Sequence, residues 1–301
     1  MINLNEIKAK NEFFVSSGAL GYGIPWRIKG ILVNPSAFGG VVTRTLTPEK
    51  RWGNLTVDPV KPDGFKETLL WGYKLFRERP NVLRKIPIGW INALGWWNVG
   101  IDYYINEIYP KVKEGNKIVS IGGFSIEEYL EMIEKLNNLE VLAVELNVSC
   151  PNVEINWEGD LVLFEKLMEA CRNTGEHPLI VKLSVKGNYL QRAVIAEETG
   201  INAIHAINTV KGLALNPKTG EPLLKARYGG MSGTTIKPIA LRVVSEIKEA
   251  TRLPIIGGGG IYSRKDCQQF FHVGASAVSF GSIFFFQPWK PARIVRRYQK
   301  T

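Results

Sequence analysis

Short apolar runs rich in β-branched residues recur along the chain, and for most of its length amphipathic stretches separate them. Eight runs stand out, at 12–16, 40–44, 117–121, 141–146, 179–183, 203–208, 253–257 and 275–280. Runs this short, bounded by polar residues, read as parallel strands buried on both faces. From the third onward each is followed by a segment with helical spacing, at 126–136, 161–171, 189–199, 236–250, 264–271 and 292–298. Alternation of strand and helix implies a parallel sheet, and eight strands in 301 residues predict an α/β fold, a closed (β/α)8 TIM barrel. About seventy residues separate the second run from the third, too many for a plain crossover, so an inserted loop region with a functional role is expected there. No repeat or low-complexity linker interrupts the pattern, and residues 1–301 are expected to form one domain.

A barrel keeps its chemistry at the carboxyl ends of its strands. Polar and small residues fall there in this chain: Ser17 and Gly18, Arg44 and Thr45, Ser120 and Gly122, Asn147 and Cys150, Asn208 and Thr209, Gly257 to Gly260, Gly281 and Ser282. The densest stretch is Glu145-Leu146-Asn147-Val148-Ser149-Cys150-Pro151-Asn152, where an apolar strand hands over to a loop. Pro151 biases Cys150 towards extended backbone, which presents the thiol. A free cysteine is more often buried and inert than reactive. The flanking amides of Asn147 and Asn152 change that balance, because three polar side chains at one strand end are costly to bury without a ligand.

Lys182, in the middle of an apolar strand, is expected to face an anion, since an uncompensated buried ammonium is costly. Glycine-rich loops after the seventh and eighth strands, with a third backbone-exposing loop at Gly229 to Gly233, imply a phosphorylated cofactor held by backbone N–H groups.

Composition narrows the classes. With 45% apolar and 22% charged residues the chain has the make-up of a globular protein. Cys150, Cys171 and Cys267 are too scattered for a disulfide framework or a zinc cluster, so no metal site is expected and a reducing, cytoplasmic setting is. No segment reaches the roughly 18 consecutive apolar residues of a membrane span. The net charge of +10, and the helical face of Arg293, Arg296, Arg297 and Lys300, read as a basic solvated surface rather than a nucleic-acid site. Neither a Gly-x-Gly-x-x-Gly after a strand nor a cysteine cluster is present, so no second redox centre is expected in this chain.

Nearly end to end, the sequence resembles the class 1 dihydroorotate dehydrogenases, FMN enzymes of pyrimidine biosynthesis. The resemblance is carried by Ser17 to Gly23, Arg51 to Asn54, Asn92 to Gly100, the Cys150 octapeptide, Asn208-Thr209, Lys218 to Gly220 and Gly229 to Arg242. It implies that Cys150 takes the C5 proton of dihydroorotate while the C6 hydride passes to flavin N5, with Lys182 beside the flavin. It further implies a pyrimidine site of Arg44, Asn92, Ala93, Leu94, Gly95, Trp96, Asn147, Asn152, Asn208 and Thr209. The FMN site it implies comprises Ser17, Gly18, Arg44, Thr45, Ser120, Asn147, Lys182, Ile207, Gly233, Gly259, Gly260, Gly281 and Ser282. Two residues depart from the family pattern: Arg44 replaces a lysine and Ser120 an asparagine.

Dihydropyrimidine dehydrogenase domains share a similar barrel and cysteine motif. Arg44 favours a substrate with a carboxylate, dihydroorotate. A tRNA dihydrouridine synthase would need a further RNA-binding module. The resemblance also implies a homodimer or heteromer, with an electron-transfer subunit carrying FAD and iron–sulfur where NAD is the acceptor.

Overall fold

A computed structural model describes residues 1–23, 26–28, 31–87, 89–112, 116–150 and 157–299. Eight parallel strands close into the expected barrel: β1 (Phe13–Val15), β2 (Gly40–Val42), β3 (Lys117–Ile121), β4 (Ala143–Leu146), β5 (Leu179–Leu183), β6 (Ala203–Ala206), β7 (Ile255–Gly258) and β8 (Ala277–Phe280). They pair in chain order, with β8 returning to β1, and the register sets Glu145 opposite Ser120 and Lys182 opposite His205.

Side chains alternate along each strand, so the barrel interior is built in levels two residues apart. The lower level is apolar: Phe14, Val42, Ile118, Ala143, Ile180, Ala203, Ile256 and Ala277. Leu4, Ile7 and Ala9, from the N-terminal hairpin of Ile2–Leu4 and Ile7–Ala9, close it from below. Two residues further along the same strands come Ser120, Glu145, Lys182, His205 and Ser279. All of these are buried. The alternate positions, such as Val119, Val144, Val181 and Ile204, face outward and pack under the helices in the main apolar cluster.

The surrounding helices include α2 (Ile126–Asn137), α3 (Leu161–Thr174), α4 (Tyr189–Glu198), α5 (Lys237–Ala250), α6 (Arg264–His272) and α7 (Lys290–Tyr298). Ser125, Asp160 and Ser263 cap α2, α3 and α6 by accepting a backbone N–H from the first turn. Arg293, Arg296 and Arg297 are exposed on α7, and Lys300 lies outside the described residues.

The segment expected as a loop between β2 and β3 has structure of its own. It contains helix α1 (Phe65–Val82), followed by antiparallel strands Leu83–Ile86 and Gly89–Asn92. The second of these pairs with Tyr228–Gly233, which in turn pairs with Val210–Leu213, giving a four-stranded antiparallel sheet over the barrel mouth. Gly229 to Gly233, read as a backbone-exposing loop, is therefore nearly the whole of a strand. Its glycines permit close strand approach: a Cβ on Gly229 would lie 2.6 Å from the Asn92 carbonyl oxygen.

Candidate active site

Between the strand ends and the inserted sheet lies a cavity of about 550 Å³. Its walls include Ser17, Gly18, Arg44, Thr45, Asn92, Leu94, Gly95, Trp96, Asn147, Cys150, Lys182, Ile207, Asn208, Thr209, Gly233, Gly259, Gly260, Gly281 and Ser282. Two expected members stand behind the wall. Ala93 is buried, with its N–H and carbonyl committed to Val82 and Asn54. Ser120 points into the barrel one level below the cavity floor, where the strand alternation puts it, beneath Thr45. Asn152 lies outside the described residues. The insertion contributes Leu75, Arg79, Val82 and Trp90, none of which carried a sequence signal.

Under the floor, the buried polar level forms one hydrogen-bonded belt centred on Glu145. Ser120 Oγ donates to Glu145 Oε1 at 2.9 Å, and its own oxygen is 3.0 Å from Thr45 Oγ1. Because the Ser120 proton is spent on the carboxylate, Thr45 must be the donor to Ser120. Asn147 Nδ2 donates to Thr45 at 2.7 Å. On the other side His205 Nδ1 lies 2.6 Å from Glu145 Oε2, His205 Nε2 lies 2.8 Å from Ser279 Oγ, and Ser16 Oγ donates to Ser279 at 2.9 Å. Both arms run their protons towards the carboxylate, which fixes His205 as the neutral Nδ1–H tautomer.

Burial pushes the Glu145 carboxyl up, but Lys182, His205 and Ser120 outweigh it and hold it well below the usual carboxylate range. Burial lowers His205 and keeps it uncharged. Lys182 Nζ is 3.7 Å from Glu145 Oε1. Glu145, a residue of the barrel itself, thus supplies a counter-charge to Lys182. Gly258 makes the belt possible, because a Cβ there would sit 2.2 Å from Ser279 Oγ.

The rim above is laid out in amides. Asn208 Nδ2 donates to Asn147 Oδ1 at 3.3 Å and to the Ser149 carbonyl at 3.1 Å, while its Oδ1 accepts the Thr209 N–H at 2.8 Å. Of the three cysteines, Cys150 alone lines the cavity; Cys171 and Cys267 are buried in α3 and α6, and burial drives both thiols upward, Cys267 to about 12.

Over the mouth, two loops are tied by the buried Asn98. Its Oδ1 accepts the N–H groups of Thr47 (3.2 Å) and Gly100 (2.9 Å), and its Nδ2 donates to the Trp96 carbonyl at 2.8 Å.

FMN fits the residues present. Gly233, Gly259 and Gly260 have φ of +103°, +129° and +83°, and a Cβ on Gly260 would lie 2.7 Å from the Gly233 carbonyl oxygen, so their backbones form a cradle with no room for side chains. Gly257 and Gly258 are instead needed for packing, against Phe270 and Ser279.

A family profile described as dihydroorotate dehydrogenase matches residues 77–301. The catalytic subunit of dihydroorotate dehydrogenase B (NAD(+)) from Bacteroides thetaiotaomicron is 34% identical over 95% of this chain and 88% of its own length. The protein of the same name from Caldicellulosiruptor bescii is 35% identical over the same shares. A putative dihydroorotate dehydrogenase A (fumarate) from Solibacter usitatus is 35% identical over 98% of this chain and 90% of its own length.

Proposed function

The chain belongs to the dihydroorotate dehydrogenase family, oxidoreductases of pyrimidine biosynthesis, and we propose that it oxidises dihydroorotate to orotate with Cys150 as the base and FMN as the immediate acceptor. What supports this reading is that Cys150 lines the same cavity as Lys182 and the hydrogen-bonded Asn147–Asn208 pair, whereas Cys171 and Cys267 are buried in helices. Asn92, Asn147, Asn208 and Thr209 orient the planar pyrimidine through its amide edges. Cys150 removes the C5 proton next to a carbonyl, and loss of the C6 hydrogen with its electron pair forms the C5–C6 double bond. Bound FMN supplies the two-electron sink, cradled by Gly233, Gly259, Gly260, Gly281 and Ser282. Lys182 offers positive charge where reduction places negative charge.

Relatives named as catalytic subunits of an NAD(+)-dependent enzyme support pairing with a second, electron-transfer subunit. No group of three or more metal-ligating side chains occurs among the described residues.

The test is single-turnover reduction. Cys150→Ala is expected to retain yellow bound flavin and to be reduced by dihydroorotate about 10²–10⁴-fold more slowly, whereas Cys171→Ala and Cys267→Ala keep near-normal rates. Flavin reduction at the unmodified rate in Cys150→Ala removes the cysteine from the role.

A further inference from the structure

Lys182 is a buried cation with three donors, yet its counter-ion stands off at 3.7 Å, beyond hydrogen-bond reach. The reason lies in what else holds that counter-ion. Both Glu145 oxygens are occupied, Oε2 by His205 Nδ1 at 2.6 Å and Oε1 by Ser120 Oγ at 2.9 Å. His205 is itself anchored by Ser279, and Ser279 by Ser16, so the imidazole cannot relax towards another partner without breaking the belt.

We propose that His205 and Glu145 are positioning residues for Lys182: His205 restrains the Glu145 carboxylate so that it compensates the ammonium by charge while leaving its donors directed into the cavity. This rests on the reading of the cavity as an FMN site. Without the His205 restraint, Glu145 Oε2 would lose its donor in a buried setting, and the nearest replacement is the Lys182 ammonium. A direct pair would turn the ammonium away from the cavity and neutralise its field there. The groups facing His205 are Glu145 from β4, Lys182 from β5 and Ser279 from β8. The hydroxyl of Ser120, on β3, completes the set around Glu145.

Two changes at adjacent residues should therefore move the cofactor in opposite directions, which loss of packing alone would not do. His205→Ala is expected to lower the midpoint potential of bound FMN, shifting the reduced-to-oxidised ratio at least tenfold, about 30 mV for a two-electron couple. Glu145→Gln, which removes the competing charge, is expected to raise it by a similar factor. His205→Gln keeps a donor to the carboxylate and should retain the unmodified potential.

Potentials are read by equilibration with reference dyes, without dihydroorotate, so they are independent of turnover. A crystal structure of His205→Ala, with or without FMN, should show Glu145 turned onto Lys182 at 3.2 Å or less. An unchanged Glu145–Lys182 separation, an unmoved or raised potential in His205→Ala, an unmoved or lowered one in Glu145→Gln, or a His205→Gln protein behaving like His205→Ala would each overturn the proposal. Failure of the unmodified protein to bind FMN would instead overturn the functional reading, and the variant structure would still decide the positioning role.

Discussion

The guanidinium of Arg44 lies over the Trp97 indole, 5.0 Å from the ring centroid, with Nη1 3.4 Å from the Trp97 carbonyl oxygen. One face and one donor are thus engaged by the mouth loop, and the remaining donors of the planar fork are available to a carboxylate in the cavity. Arg44→Ala is expected to weaken orotate binding measured by calorimetry, and Arg44→Lys to retain much of it. Dihydrouracil, which lacks the carboxylate, should reduce the flavin roughly 10⁴-fold less efficiently than dihydroorotate, because the arginine would be left without its partner; equal reduction by the two would favour a dihydropyrimidine substrate. Beneath the floor, Glu145→Ala leaves Lys182 without a counter-charge and should cost about 3–5 kcal/mol in chemical denaturation. Cys150 was legible from the amides and the proline that flank it at a strand exit, and Lys182 from being a charged side chain where the strand pattern asks for an apolar one. Glu145 and His205 stood in the same kind of position and gave no role, since what each does is defined by a partner on another strand.

At the scale of elements, barrel strands and their following helices fell close to where the hydrophobic periodicity put them, because burial on both faces leaves a local signature. The insertion did not. Helix α1 leaves Leu69, Leu70, Tyr73 and Phe76 exposed and carries Pro80 in its last turn, so its apolar positions do not form one stripe and its end reads as a break. The mouth loops depend on contacts that no single segment reveals. Asn98→Ala strips the partners of two buried N–H groups and a carbonyl, and is expected to cost about 2–4 kcal/mol of local stability. Hydrogen exchange should rise at residues 47–55 and 94–100, with a higher KM for dihydroorotate. Gly53 locks the same pair of loops: at φ +55°, a Cβ would come within 2.1 Å of the Leu94 carbonyl oxygen.

For the molecule as a whole, acid is the vulnerable direction. Burial lowers His205; Glu145 and Asp266, though burial opposes it, are lowered by their partners, Lys182 and His205 for the one and Lys237 and Ser263 for the other. Each therefore takes up protons more readily in the unfolded chain. Their stabilisation is complete above about pH 6.5 and is lost as pH falls, first through His205 and then, below the ordinary carboxylate range near pH 4, through the carboxylates. Scanning calorimetry should show Tm falling steadily from pH 7 to pH 4, and His205→Gln should flatten the upper part of that slope. The amino-acid sequence by itself determined the eight strands, their alternation with helices and the strand ends at which polar chemistry gathers, because periodicity and burial are local properties of each segment. Only the tertiary structure decided that Glu145, Lys182, His205 and Ser279 share one level, that Ser120 lies below the cavity, and that residues 65–87, 89–92 and 210–233 build its roof. Those facts depend on sheet register and closure, which bring together positions far apart in the chain, and no strand carries in its own pattern the identity of the side chain that will face it across the barrel.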